Sequence, residues 1–295
     1  MFDFKIHSPE EEVELPLLKE HNVRLFIKRD DLIHPFISGN KWRKLKYNLE
    51  EAYKLGKKHL VSFGGAYSNH ILALACAGAK FGFTTTAFVR GEPVQNEILS
   101  LCKIFGMHLI FVDRESYKDK IKLYNEFSEL TNDSYFIDEG GAGKLAEIGC
   151  REIINELNRY YDYIFCAAGT GTTAAGIINE VSIQNLKTEI SIVSVLKGYD
   201  LLSSDINQLL EKPRNYKVFH DYHFGGYAKT KPELIEIIKY FANNTGILTD
   251  PVYTGKTLFA VLDQVKQGKI ERGSNILMIH TGGIFGILGM LDKFK

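Results

Sequence analysis

Short apolar runs alternate with amphipathic runs along most of the chain, and this alternation constrains the fold more than any other feature. The apolar runs are rich in β-branched and aromatic residues, as strands are, whereas the runs between them repeat apolar residues at helical spacing. The strand-like runs read HLVSFGG, TTTAFVRG, HLIFVD, YDYIFCAAG, EISIVSVLKG and NILMIHTGG. The helix-like runs read NHILALACAGAKFG, QNEILSLCKIFG, TTAAGIINEV, DLLSSDINQLL, KPELIEIIKYFANNTG and TGKTLFAVLDQVKQG. This order predicts an α/β fold with mainly parallel sheets and helices on both faces.

The series of strands and helices is long for a single sheet, so a chain of 295 residues is expected to form two lobes around a cleft. In such folds, binding and reactive groups collect where the carboxyl ends of strands meet the amino ends of helices. Glycine-bearing strand ends are therefore the places where a site is expected.

Composition narrows the class of partner. Lys plus Arg and Asp plus Glu number 36 each, so no net charge attracts nucleic acid or an anionic membrane. A small-molecule substrate is the better hypothesis. The charged start of the chain lacks the apolar core of a secretory signal, and the most apolar stretches are too short to cross a bilayer, which predicts a cytoplasmic protein. The four cysteines are widely spaced without a C-x-x-C pair, which predicts no metal site and no disulfide framework.

The segment Ser38–Leu45 places a lysine, Lys41, just after a glycine and at the start of a helical pattern. The partial positive charge of a helix N-terminus disfavours a second positive charge, so an amine there loses its proton more readily. A neutral amine is what carbonyl addition requires. The alternative is an ordinary solvated lysine in a basic helix.

The segment Phe63–His70 ends a strand with two glycines and begins a helix with short polar side chains. Exposed N–H groups at such a turn bind carboxylates or phosphates, and Ser68 and Asn69 add side-chain hydrogen bonds. The alternatives are simple helix capping by these residues and a structural role for His70.

The segment Ala168–Gly176 lies between a strand and a helix and combines glycines with threonines, which favours a phosphate cradle. A dinucleotide site would need an acidic residue at the end of the following strand, but Glu189 precedes that strand. A Walker lysine is also missing, so a monophosphate fits better. Two further segments, Asp250–Lys256 and His280–Gly283, bring glycines to the same expected cleft.

In this order, these segments resemble the fold-type II pyridoxal-phosphate (PLP) enzymes, of which tryptophan synthase β is one, and specifically the group of 1-aminocyclopropane-1-carboxylate (ACC) deaminase and D-cysteine desulfhydrase. The resemblance is carried by KRDDL at 28–32, GNKWRKL at 39–45, GGAYSNH at 64–70, AAGTGTT at 167–173, LTDPVYTGK at 248–256 and HTGG at 280–283. These motifs span nearly the whole chain.

The resemblance implies PLP as cofactor and assigns roles to individual residues. Lys41 would hold PLP as a Schiff base and then shuttle the Cα proton, with Ser68, Tyr227 and Tyr253 as the other catalytic residues. The cofactor would be bound by Lys41, Asn69, Gly169, Thr170, Gly171, Thr172, Thr173, Thr254 and Thr281. The substrate would be bound by Tyr67, Ser68, Asn69 and His70.

Two positions favour the desulfhydrase branch of this group. The deaminases typically have Glu after the tyrosine of DPVY and Leu in the last motif, where this chain has Thr254 and Thr281. A carboxylate beside the pyridine nitrogen would strengthen the electron sink that ring opening needs, whereas a hydroxyl suffices for β-elimination. D-cysteine is therefore the expected substrate and ACC the alternative. Tyr67 stands where the group usually has Gln, which reshapes the substrate pocket.

Two alternatives come from other classes. A nicotinamide-dependent oxidoreductase would use a glycine loop after a strand but has no need for a lysine at a helix start. A non-catalytic binding protein would be expected to lack Lys41 or the phosphate loop. The resemblance further implies a homodimer, with a small domain over 43–158 and a large cofactor-binding domain over 1–42 and 159–295.

Overall fold

The computed structural model describes residues 4–131 and 133–295, and two separate sheets organise them. The first is six-stranded, with the order β1-β2-β10-β7-β8-β9. Its strands are β1 (Glu10–Val13), β2 (Arg24–Lys28), β7 (Tyr163–Ala168), β8 (Glu189–Ser194), β9 (Lys217–Phe219) and β10 (Asn275–Ile279). Only the pairing of β1 with β2 is antiparallel within this sheet.

The second sheet is four-stranded and wholly parallel, with the order β5-β4-β3-β6. Its strands are β3 (His59–Gly64), β4 (Thr84–Arg90), β5 (His108–Val112) and β6 (Ser134–Phe136). In the register of β3 with β4, Gly64 lies opposite Val89, so both strands end at the same edge of the sheet.

Helices connect the strands and cover the sheets. They are α1 (Pro16–Glu20), α2 (Asn40–Lys54), α3 (Asn69–Phe81), α4 (Glu97–Ile104), α5 (Lys120–Leu130), α6 (Lys144–Asn155), α7 (Thr172–Ile183), α8 (Leu202–Leu209), α9 (Pro232–Thr245) and α10 (Thr254–Lys266). The chain ends in a 3₁₀ helix, Ile284–Phe294, and shorter 3₁₀ turns lie at Asp30–Leu32, Ser116–Lys118, Glu139–Gly141 and Asp221–His223. Within the described ranges, no helix has both the length and the apolar character that crossing a bilayer requires.

Both faces of the six-stranded sheet are buried. Along β2, Leu25 and Ile27 belong to one apolar core and Phe26, between them, belongs to another on the opposite face. Successive strand residues point to opposite faces, so burial of all three requires a helical layer on each side. The predicted α/β class, with mainly parallel sheets and helices on both faces, is confirmed.

Helix α6 packs against α2 on one side and α7 on the other, and glycines allow the close approach. A Cβ on Gly149 would overlap the carbonyl oxygen of Arg43, and one on Gly176 would lie 2.6 Å from the Cβ of Cys150. The helix that follows the four-stranded sheet thus packs against the helix that follows β7. The domain boundaries at 42/43 and 158/159 stay a prediction.

Candidate functional site

A cleft opens where the carboxyl ends of strands β7 and β10 meet the amino ends of helices α2, α3 and α7. It is lined by Asn40, Lys41, Lys44, Asn69, Gly140, Ala167, Ala168, Gly169, Thr170, Gly171, Thr173, Ala174, Tyr253, Thr281, Gly282 and Gly283. Of the candidates from sequence, the structure brings Lys41, Asn69, Gly169, Thr170, Gly171, Thr173, Tyr253 and Thr281 to this cleft. The other candidates, Tyr67, Ser68, His70, Thr172, Tyr227 and Thr254, are not among the lining residues.

Lys41 is the second residue of α2, as the sequence predicts, and glycine makes its position possible. Gly39 precedes the helix with φ +60°, and a Cβ there would overlap the carbonyl oxygen of Thr281. The Asn40 N–H donates to that same carbonyl at 3.3 Å, and the Gly39 N–H donates to the carbonyl of Asp30 at 3.0 Å. The start of α2 is therefore fixed against the end of the last strand, which directs Lys41 into the cleft.

The ammonium form of Lys41 is disfavoured at this place. Burial, followed by repulsion from the nearby Lys44 charge, lowers the pKa of Lys41 to about 7. A large part of the population is then the neutral amine at neutral pH, and the neutral amine is the form that attacks a carbonyl carbon. The environment is suited to a lysine that forms a covalent bond with an aldehyde.

Lys44 is a cleft residue that the sequence reasoning missed. Its side chain is buried, its Nζ donates to the carbonyl of Gly140 at 3.1 Å, and burial lowers its pKa. The available signal was its spacing, because residues three apart on a helix lie on the same face. Lys44 adds a cation donor to the side of the cleft that faces the glycine loop of α7.

The loop Gly169–Thr173 joins β7 to α7 and forms a cradle at the helix N-terminus. Gly171 caps the helix with φ +77°, and a Cβ there would lie 2.8 Å from the Cγ1 of Ile206. The first amides of a helix have no carbonyl partner within it, so they can bind an anion. The Asn40 side chain donates to the Thr173 hydroxyl at 2.9 Å, which ties the Lys41 segment to this cradle.

The loop before α3 presents Asn69 to the cleft, while its neighbours have other contacts. The Asn69 amide donates to the Gly283 carbonyl at 3.4 Å. Ser68 caps α3 by accepting from the Ile71 N–H at 3.5 Å. His70 is buried with Nε2 2.8 Å from the Ser62 hydroxyl, and burial, then the charges of nearby lysines, holds its pKa well below the usual range. The predicted roles of Ser68 and His70 in substrate binding stay predictions.

Three glycines of the C-terminal segment approach the same loop. A Cβ on Gly283 would lie 2.7 Å from the Asn69 Nδ2, and one on Gly286 would lie 3.9 Å from the same atom. One on Gly289 would lie 2.7 Å from the Cε1 of Tyr67, so the Tyr67 ring packs directly on this glycine. Tyr67 is half exposed and lies against the middle of the C-terminal 3₁₀ helix.

Thr254 is held in a tight turn with Asp250 rather than at the cleft surface. Its hydroxyl donates to the Asp250 carboxylate at 2.7 Å and accepts from the Asp250 N–H at 2.8 Å. The same buried carboxylate also accepts the N–H groups of Val252, Tyr253 and Thr254. Thr281, in contrast, lines the cleft directly.

Two tyrosines border the cleft on the side of α10. The Tyr253 hydroxyl donates to that of Tyr227 at 3.4 Å, and burial raises the pKa of both phenols. The buried Lys256 donates to the Gly226 carbonyl at 2.8 Å and so holds the loop that carries Tyr227. Both phenols are therefore neutral hydrogen-bonding groups at neutral pH.

These features fit a planar aldehyde that carries one phosphate. Lys41 supplies the amine, the loop Gly169–Thr173 with Lys44 supplies an anion cradle, and Asn69 and Thr281 supply neutral polar groups between them. Among the described residues, no Asp or Glu lines the cleft. An acidic residue for a dinucleotide ribose is absent from the carboxyl end of β8 as well, since Glu189 begins that strand.

Comparison with known proteins shows which phosphate-bearing aldehyde fits this cleft. The model of the family described as pyridoxal-phosphate dependent enzyme matches residues 8–282. A putative ACC deaminase of Thermotoga maritima is 32% identical over 291 residues, which is 92% of this chain and 92% of that protein. The D-cysteine desulfhydrase of Salmonella typhi is 27% identical over 296 residues, 91% of this chain and 90% of that protein.

The fold agrees with that of a solved structure over nearly the whole molecule. The crystal structure of an ACC deaminase homologue superposes with a TM-score of 0.90 at 29% sequence identity and covers 99% of this chain and 94% of that one. The amine, the phosphate cradle and the fold are those expected for PLP, and the chain belongs to the family of pyridoxal-phosphate dependent enzymes.

Proposed function

We propose that the protein is a PLP-dependent lyase that eliminates the β-substituent of a small D-amino acid, with D-cysteine as the first candidate. One observation favours β-elimination over opening of the ACC ring: among the described residues, no carboxylate lines the cleft. The one carboxylate of the Asp250–Thr254 turn accepts hydrogen bonds from its own turn. The polar group that faces the cleft from the last strand is the neutral Thr281.

The cofactor and the cleft residues would contribute different parts of the reaction. PLP, when bound, supplies the electron sink that makes the Cα proton of an amino acid acidic. The Lys41 amine takes that proton, and the electron pair of the Cα–H bond forms a Cα–Cβ double bond as the thiolate leaves with the Cβ–S pair. Hydrolysis of the resulting aminoacrylate by water gives pyruvate and ammonia. With the neutral Thr281 in the cleft lining in place of a carboxylate, the bound cofactor would be a weaker sink, which suits a substrate with a good leaving group.

ACC deamination is the second candidate, because relatives at 31% and 32% identity carry that name as putative ACC deaminases. Opening an unactivated cyclopropane ring needs a stronger sink than the cleft residues supply. The cytoplasmic location and the homodimer stay predictions from the sequence.

The substrate is tested with the purified holoenzyme on D-cysteine, β-chloro-D-alanine, ACC and the L-enantiomers of the first two. We expect sulfide and pyruvate from D-cysteine, pyruvate from β-chloro-D-alanine, and little 2-oxobutanoate from ACC. Release of 2-oxobutanoate from ACC without sulfide from D-cysteine would decide for the deaminase. Lys41→Ala should lose every activity and the absorbance of covalently held PLP, whereas Lys54→Ala, at the exposed end of the same helix, should lose neither.

A further inference from the structure

Arg90 lies on the four-stranded sheet, at the edge where the loop that leads to Asn69 begins. It is the last residue of β4, one position beyond the Val89 that pairs with Gly64, so it lies beside the loop that leads to Asn69. Its Nη2 is 4.0 Å from the place of a Cβ on Gly65. The side chain is exposed and stands outside the ring of residues that line the cleft.

The Arg90 guanidinium has an aromatic support but no counter-charge. Its Cζ lies 5.7 Å from the centre of the Tyr117 ring, and it forms an ion pair with none of the carboxylates in the described part of the chain. Lys120 provides the contrast, because its Nζ lies 6.0 Å from the same ring yet pairs with Glu139 at 2.8 Å. Of two cations on one ring, only Arg90 is left with its charge available to a ligand.

The Arg90 charge also affects Tyr227, which is hydrogen-bonded to the cleft residue Tyr253. Burial raises the pKa of Tyr227, and the Arg90 charge opposes that rise, as does the hydrogen bond from Tyr253. Tyr253 lines the cleft, and its Cε1 lies 3.5 Å from the place of a Cβ on Gly169. Because Tyr227 is hydrogen-bonded to Tyr253, which lines the cleft, the Arg90 charge lies within electrostatic reach of the tyrosine pair at the edge of the cleft.

We propose that Arg90 is a specificity-determining residue that binds an anionic group at the far end of the substrate side chain. This inference rests on the proposed function and narrows its substrate class to D-amino acids whose β-substituent is an oxyanion, such as a sulfate ester. A planar guanidinium presents paired N–H donors that match the oxygens of such a group. In the proposed function, Asn69 would serve the α-carboxylate and Lys41 the reacting carbon, so a cation outside the cleft lining is left for the far end of the side chain.

The charge of Arg90 assists the reaction as well as binding. In the elimination of D-serine O-sulfate, the Cα proton passes to Lys41 and the Cβ–O electron pair leaves with the sulfate. The singly charged ester becomes a doubly charged ion, so a cation beside it binds the transition state more strongly than the ground state. Loss of Arg90 should therefore lower kcat as well as raise KM for this substrate.

The test compares the holoenzyme with Arg90→Met and with Lys120→Met as the matched control, on D-serine O-sulfate and on uncharged β-chloro-D-alanine. Arg90→Met should lower kcat/KM for the sulfate ester by about 10- to 100-fold, the value of a charged hydrogen-bonded contact. Its effect on β-chloro-D-alanine should stay within about twofold, and Lys120→Met should leave the ratio of the two substrates unchanged. Arg90→Lys should recover part of the loss.

If Arg90→Met lowers kcat/KM equally for both substrates, Arg90 serves the α-carboxylate or the fold. If it lowers kcat/KM for neither, Arg90 binds no substrate. Either result overturns the inference. A binding measurement separates this from the proposed function. By calorimetry, D-aspartate should bind the wild-type holoenzyme about tenfold more tightly than D-asparagine, and Arg90→Met should remove that preference. Absence of the preference in the wild type overturns the inference, whereas inactivity on β-chloro-D-alanine with the preference present defeats only the proposed reaction.

Discussion

Lys41 and Lys44 lie one helical turn apart on α2, and both side chains reach the cleft. Burial lowers the pKa of both lysines, because neither ammonium is fully hydrated, and repulsion from the Lys44 charge lowers the pKa of Lys41 further. The protein thereby keeps one amine free of its proton while the other remains beside the cradle for an anion. Burial, with the Lys44 charge as the second contribution, sets the reactivity of Lys41.

The low pKa of Lys41 has a pH dependence that can be measured. The neutral amine is the reactive form, so the rate at which the apoenzyme takes up PLP should rise with pH through a midpoint of about 7. Lys44→Met should move that midpoint upward, because the repulsive charge is gone, whereas Lys54→Met should not move it. The measurement is stopped-flow absorbance of added PLP across this pH range. A midpoint near the ordinary lysine value of about 10.4 would contradict the assignment.

At the scale of elements, the contact of the α2 start with the end of β10 decides where Lys41 points. This contact depends on Gly39, which combines a left-handed backbone with the absence of a side chain against Thr281. Gly56, just beyond the other end of α2, has a similar φ of +67° but no atom within 4 Å of a Cβ. The two glycines therefore share a positive φ but differ in whether a side chain would overlap a neighbour.

Gly39→Ala and Gly56→Ala should differ in both stability and cofactor binding. Gly56→Ala places an alanine at positive φ, which costs about 1–2 kcal/mol of unfolding free energy. Gly39→Ala should cost more than this and weaken PLP binding, because the start of α2 must move away from Thr281. Gly56→Ala should leave PLP affinity unchanged. Urea denaturation and PLP titration give both quantities, and equal effects of the two variants would refute the steric argument.

Elements with a strong local pattern were predictable from the sequence. The strand β7, its glycine loop and α7 follow one another in a run where the apolar period changes from two to helical, so the cradle could be predicted from neighbouring residues alone. Helix α6 and strand β2 were missed, since the runs AEIGCREII and RLFIK are short or interrupted by charges. Their burial comes from packing between distant segments.

The site features that the sequence did not predict depend on contacts between segments that are far apart in the chain. Gly39 and Thr281 belong to recognisable motifs, yet nothing local predicts that one backbone packs on the other. Asp250 lies within a quoted motif, but its role depends on a turn that directs four donors to one carboxylate. Arg90 ends a predicted strand, and only its lack of an acidic partner in the described structure distinguishes it from a solvated arginine.

At the scale of the whole molecule, a buried cluster of charges joins the segments that position Lys41. Arg43, on α2, donates to both oxygens of Asp30 at 2.7 Å and to Glu156, beyond α6, at 2.8 Å. The Lys28 ammonium lies 3.2 Å from the same glutamate. Arg43 is fully buried, so its hydrogen bonds replace water on every side. The cluster holds the N-terminal segment, the reactive helix and α6 together.

Removal of Arg43 should therefore destabilise the whole molecule. Arg43→Met leaves a buried carboxylate without its partner, and we expect a loss of about 3–5 kcal/mol in the free energy of unfolding. Arg24→Met is the matched control: Arg24 makes the same two-pronged contact with Glu12 at 2.7 and 2.6 Å, but both side chains are largely exposed. That variant should lose far less, because solvent screens the exposed pair. Similar losses in urea denaturation would show that the cluster adds no cooperativity.

The C-terminal 3₁₀ helix has a consequence for how the chain can change in evolution. Three residues complete a turn of such a helix, so Gly283, Gly286 and Gly289 recur along one side, which faces Asn69 and Tyr67. Deleting Ile284 would rotate the remainder by about a third of a turn and bring Ile287 and Met290 to the places that Gly286 and Gly289 hold against these neighbours. Phe285 now stacks on Phe36 at 5.3 Å and would lose that contact. Gaps in this segment should therefore be accepted in multiples of three.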